Sequence, residues 1–113
     1  VDTQDKAHES GRLAVEKKAK EVMLLDLADL TDIADVFVIA SGTSERHVKT
    51  ISDSIDQGMK AKGARPLSVE GYEEGRWVIM DYGDVIVHVF LESLRELYDL
   101  ESLWIEAKRQ VVE

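Results

Sequence analysis

The amino-acid sequence predicts an α/β domain in which a mixed β-sheet packs against helices. Three observations carry this expectation. Residues 22–27 and 36–40 are apolar runs of strand length, the second (VFVIA) rich in β-branched and aromatic side chains. Val48, Ile51, Ile55 and Met59 recur at the spacing of an amphipathic helix. Residues 77–81 and 85–90 flank Tyr82-Gly83-Asp84, a hairpin signal. Strands and helices interleaved in this order call for a sheet layered with helices.

Residues 3–20 are polar, with a weak apolar stripe at Ala7, Gly11, Ala14, Val15 and Ala19 among good helix formers, and predict a marginal amphipathic helix. The runs at 22–27 and 36–40 follow as buried strands. Ser41-Gly42-Thr43-Ser44 then supplies turn and N-cap chemistry, so the next helix starts near Ser44, and Gly63 ends it. After Pro66, a short strand at 67–69 and a loop at 71–75 lead into the hairpin. Beyond it, Leu94, Leu97, Leu100, Trp104 and Ala107 stand at three-to-four spacing and predict one helix or two short ones over 92–110. No internal repeat, low-complexity tract or linker interrupts the chain, and residues 1–113 read as one domain.

Composition excludes several classes of function. A chain of 113 residues is long enough to bury a core without a metal or disulfide staple. The absence of cysteine removes thiolate nucleophiles, Cys-based zinc sites and a disulfide framework together. Fourteen Lys and Arg against 23 Asp and Glu give a net charge of −9, a sign that repels phosphates, so sequence-specific nucleic-acid binding is not expected. No apolar run approaches the roughly 18–20 residues of a membrane span, and no charged segment leads into an apolar one near residue 1. The chain reads as soluble and intracellular.

Side chains alternate across a strand, so a two-residue hairpin loop sorts the residues of 77–90 into two faces. One holds Val78, Met80, Tyr82, Val85, Val87 and Val89, the composition of a core under helices. The other holds Trp77, Ile79, Asp81, Ile86, His88 and Phe90, in which a carboxylate, an imidazole and aromatic rings share one surface. That mixture is the composition of a protein-binding patch, provided helices cover only the first face. His88 would titrate near the ordinary imidazole value of about 6.5 in such a patch. Alone on a strand it is more often structural or interfacial than a general base. Neither it nor His8 or His47 has a second His or Cys at ligand spacing, so no metal site and no cofactor are expected.

One further motif touches on chemistry. Residues 36–44 run from a buried strand through a small-residue turn to a helix N-terminus, a geometry that can present N–H groups to a phosphate. The same turn occurs in nucleotidyltransferase folds, where a following strand carries two carboxylates that hold Mg²⁺. Here residues 65–70 read RPLSVE and contain no Asp-x-Asp pair. A phosphate- or nucleotide-binding enzyme is thus the alternative reading, and it lacks its metal ligands. The acids Asp26, Asp29, Asp32 and Asp35 read as a solvated edge.

Three ordered blocks, DVFVIASGTSERHVKTISDSI (35–55), VEGYEEGRWVIMDYGDVIVHVF (69–90) and RELYDLESLW (95–104), closely resemble the ribosomal silencing factor family, also called Iojap-like proteins. The resemblance covers nearly everything after Leu24. It implies a mixed-sheet fold like that of nucleotidyltransferases without their catalytic carboxylates, and a non-enzymatic role. It also implies that the protein binds ribosomal protein number fourteen of the large subunit at the intersubunit face. Bound there it would block subunit joining and repress translation, in the bacterial cytoplasm or, for homologues, in organelles. The family's binding surface carries over onto Trp77, Met80, Asp81, His88, Phe90, Tyr98 and Leu100. Met80 sits awkwardly in this set, because alternation places it on the core face. A patch of this kind seeks cover when no ribosome is present, so a homodimer is expected for the free protein.

Overall fold

The computed structural model describes residues 1–113 as a six-stranded mixed sheet with helices on both faces. In chain order the elements are α1 (Thr3–Glu16), β1 (Lys20–Asp26), β2 (Val36–Gly42), α2 (Glu45–Ala61), β3 (Ser68–Glu70), β4 (Trp77–Asp81), β5 (Val85–Leu91), α3 (Glu92–Tyr98), α4 (Leu100–Leu103) and β6 (Lys108–Val111). The strands lie in the order β3-β4-β5-β2-β1-β6. Only β2 and β5 run parallel, and they occupy the centre. Their composition explains this position: VFVIASG and VIVHVFL bury nearly every side chain, as strands covered on both faces must.

Helices α1 and α2 cover one face. The Asp2 side chain caps α1 by accepting from the Asp5 N–H at 2.8 Å, and Ser44 Oγ caps α2 by accepting from the His47 N–H at 3.0 Å. The two helices meet where Gly58 leaves room for the Leu13 side chain, a space any larger residue would fill. Beneath them Val48, Ile51, Ile55 and Met59 pack on Val38, Val78, Met80, Val85, Val87 and Val89. A smaller core on the opposite face joins Leu25, Leu27, Phe37, Ile39 and Phe90 to Ala107, with Leu94, Leu100 and Trp104 lying over it.

The C-terminal end of the chain departs from the sequence expectation. Helical spacing predicted one helix or two short ones over 92–110; the chain forms two short ones, α3 and α4, parted by a left-handed Asp99 (φ 47°), but the helical path stops at Leu103. Residues 108–111 then form an edge strand antiparallel to β1, pairing Met23 with Val111 and Asp26 with Lys108. All four residues of β6 are exposed, so the element has no apolar alternation to announce it and owes its existence to pairing. In β1 a bulge between Lys20 and Met23, with Glu21 at φ 51°, shifts the register and extends the strand two residues earlier than its apolar run.

Candidate functional site

The face away from α1 and α2 is built on the β4–β5 hairpin. Tyr82 N–H donates to the Val85 carbonyl at 2.8 Å and Gly83 takes φ 90°, so the loop is the two residues Gly83-Asp84. The register pairs Trp77 with Phe90, Ile79 with His88 and Asp81 with Ile86 on this side. These are the residues that alternation assigned to it. Trp77 stacks on Phe90 with centroids 4.8 Å apart and planes 25° off parallel, and Tyr98 of α3 tilts onto the indole at 4.7 Å. His88 lies at the centre, edge-on to Phe37 at 4.6 Å, and Phe37 in turn meets Trp104 at 6.2 Å. A continuous aromatic layer thus runs from Trp104 to Tyr98.

Burial divides this layer into a floor and a rim. Phe90 is fully buried under α3 and His88 is 5% exposed, so both are floor. Trp77, Ile79, Asp81, Ile86 and Leu100 are half-buried, and Tyr98 is 53% exposed; these form the accessible rim. The Trp77 indole can only donate, and its Nε1–H points to His88 Nδ1 at 3.2 Å. The imidazole therefore carries its proton on Nε2, which is buried without a partner. Burial pushes the His88 pKa down to about 4, well below the value of 6.5 expected of a patch residue. His88 is a neutral prop for Trp77 rather than a titrating surface group.

Two further site expectations are corrected. Met80 is 1% exposed and lies in the core beneath the helices, because the two-residue loop fixes its parity. Phe90 supports Trp77 from below and offers no surface of its own. The layer also includes apolar residues that the sequence reading did not place there. Leu97, Leu103 and Ile105 are exposed, and Leu30 joins Leu103, Trp104 and Ile105 around a shallow hollow of about 200 Å³. Leu97 is already exposed on α3, before the left-handed Asp99, and Leu103 and Ile105 come after it.

In the turn at 41–44 the Thr43 N–H is already used within the chain. Thr43 N–H donates to His47 Nδ1 at 2.9 Å, and the His47 N–H is used by Ser44 Oγ. His47 Nε2 donates in turn to the Lys17 carbonyl at 2.7 Å, fastening the end of α1 to the start of α2. The motif is a helix cap with a structural histidine.

The family model described as ribosomal silencing factor during starvation matches residues 1–113. The chain belongs to this family. Its sequence is 39% identical over 100 residues to the ribosomal silencing factor of Chromobacterium violaceum, covering 85% of this chain and 82% of that one. It is 38% identical over 92 residues to the Bacillus subtilis factor, covering 81% and 78%. A crystal structure from Chromobacterium violaceum superposes with a TM-score of 0.89 at 35% identity, covering 92% of this chain and 87% of that chain. One from Bacillus halodurans gives 0.82 at 34%, covering 98% and 99%. A mitochondrial Iojap-related protein of Arabidopsis thaliana is 34% identical over 98 residues, 82% of this chain and 53% of that one. Ribosomal silencing factors are not enzymes; they regulate translation at the ribosome. No helix in the chain is long and apolar enough to cross a membrane.

Proposed function

We propose that this chain binds the large ribosomal subunit through ribosomal protein number fourteen, using the Trp77–Tyr98 face, and so prevents the small subunit from joining. The observation that carries the reading is a half-open aromatic surface in a member of this family. Trp77 is held rigid between Phe90 and Tyr98 and by its bond to His88, and large pre-positioned aromatics are the residues that dominate protein interfaces. The rim carries Asp81, and the net charge of −9 suits a basic ribosomal protein while discouraging contact with RNA. No catalysis is needed. A body of 35 × 33 × 25 Å seated at an intersubunit contact excludes the other subunit by volume. We read the sheet as a nucleotidyltransferase-like fold without its carboxylates, residues 65–70 having no Asp-x-Asp pair, and the site of action as the bacterial cytoplasm.

In the free protein a second copy covers the same face, with Tyr98, Leu103 and Ile105 as the exposed apolar residues it would bury. Dimer and ribosome complex then compete. Light scattering across a concentration series tests this: a monomer at high micromolar concentration contradicts it. The main reading is tested by sedimenting purified subunits through a sucrose gradient with and without the protein. The expected result is co-sedimentation with the large subunit and a smaller fraction of joined ribosomes. Equal binding to both subunits contradicts it.

A further inference from the structure

Residues 26–35 read DLADLTDIAD, with acids and apolar side chains each recurring at every third position, and the Trp77–Tyr98 face uses none of them. Between β1 and β2 this segment folds into a closed loop. The Leu27 N–H donates to the Asp35 carbonyl at 2.8 Å across its base, and the Leu27 carbonyl accepts from the Leu30 and Thr31 N–H groups at 2.9 and 3.1 Å, so the loop has a fixed shape. Leu27 and Ala34 are buried in the small core and anchor it. Leu30 and Ile33 take no part in that anchoring, and Ile33 is 61% exposed. Leu30 shares the shallow hollow of about 200 Å³ with Trp104 and the exposed Leu103 and Ile105. Exposed aliphatic side chains gathered at a hollow beside a pinned loop mark a contact surface, whereas single exposed ones would not. The hollow continues the aromatic layer at its Trp104 end, through Phe37.

Charge decides what such a surface accepts. The two stretches that build it, residues 26–35 and 99–107, contain four and three acids respectively and no base. Of these acids only Glu101 is in an ion pair, with Arg95. Asp26, Asp29, Asp32 and Asp35 are all exposed. Lys108 stands opposite Asp26 in the β1–β6 register and offsets at most one of them. An apolar hollow rimmed by unpaired acids repels RNA and anionic lipid. A second copy of the chain brings the same acids with it, so a basic protein fits this end of the face better than self-pairing does. We infer that the hollow and the loop at 27–35 form a second contact, for a basic segment of a large-subunit protein that seats an aliphatic side chain against Leu30 and Leu103 and sets lysines or arginines against Asp29, Asp32 and Glu106. The inference rests on the large-subunit reading above and adds to it an epitope separate from Trp77. The acids steer the basic segment in, and the apolar seat holds it.

A photoreactive phenylalanine analogue placed at position 33 of the full chain, and irradiated with an excess of purified large subunits, reports what covers the loop. The expected adduct is a lysine- and arginine-rich peptide of a ribosomal protein. An adduct to ribosomal RNA or to a second copy overturns the inference, as does no adduct from position 33 when the same analogue at position 98 gives one. Affinity for large subunits over a salt series tests it independently. Ile33→Ser should weaken binding about tenfold, and Asp29→Asn combined with Asp32→Asn should weaken it at low salt and flatten its salt dependence. All three side chains are exposed, so melting temperatures should match that of the wild type. If these variants bind like the wild type while Trp77→Ala is weakened, the inference fails and the aromatic-face reading stands. If they are weakened and Trp77→Ala is not, the inference stands and the aromatic-face reading fails.

Discussion

The β4–β5 hairpin presents two surfaces that differ in a way their shared backbone does not explain. Toward α1 and α2 it turns Val78, Met80, Val85, Val87 and Val89, all buried. Away from them it turns Trp77, Ile79, Asp81, Ile86, His88 and Phe90. The first surface is capped by helices of 14 and 17 residues, the second by helices of 7 and 4. Compact aliphatic side chains under long helices close completely. Flat rings under a short broken helix close only along the middle, leaving Trp77, Ile79 and Ile86 at the edge half-covered. Openness is therefore set by the length of the cover as well as by the composition of the strand, and the open side is the side available to a partner.

Variants on the two surfaces should separate stability from binding. The largest effect falls on the closed side: Ile55→Ala, fully buried on the inner side of α2, should cost about 2–5 kcal/mol in urea denaturation. Its binding to the large subunit should be unchanged wherever it is folded. A cost under about 1 kcal/mol would mean that this core relaxes around the cavity. Next comes acid. The folded pKa of His88, about 4, lies below its ordinary 6.5, so the unfolded chain binds the proton more readily. This contribution to stability is full above about pH 6.5 and is lost as pH falls toward 4, in all on the order of 3 kcal/mol. Denaturation at several pH values should show the slope between about pH 6 and 5, and His88→Phe should flatten it.

On the open surface, Trp77→Ala should weaken large-subunit binding by about 2 kcal/mol, roughly 30-fold in Kd. Since Trp77 also packs on Phe90, a smaller loss of stability should accompany it. Tyr98→Ala should have the smallest effect, about 1 kcal/mol in binding with no measurable change in stability, because more than half of the side chain is already in water. A fall in melting temperature comparable to that of Ile55→Ala would place Tyr98 in the core instead.

The contrast between the surfaces was legible in the sequence because alternation is a local rule and the Gly83-Asp84 loop fixes its phase. Parity alone sends Met80 inward, against the position carried over from the family, and the structure sides with parity. Less legible was how far the second surface is covered. His88 and Phe90 share parity with Trp77, but both are buried: His88 lies edge-on to Phe37, and Phe90 belongs to the small core on which Leu94, Leu100 and Trp104 pack, contacts between residues distant in sequence. The path of residues 99–111 could not be read either. The helical spacing of Leu94, Leu100 and Trp104 is real, yet a single left-handed residue at Asp99 redirects the chain, and β6 carries no pattern of its own. Leu103 and Ile105 were missed for that reason.

Subunit joining tests the central claim most directly. Purified subunits are mixed with saturating wild-type protein, Trp77→Ala or Met80→Ala, and joining is followed by light scattering at a temperature where all three are folded. Wild type and Met80→Ala should block joining equally, and Trp77→Ala should require a roughly 30-fold higher concentration to do so. If Met80→Ala loses the block while Trp77→Ala keeps it, the ribosome is met through the helix-covered side, and the assignment of the open aromatic face to binding is wrong.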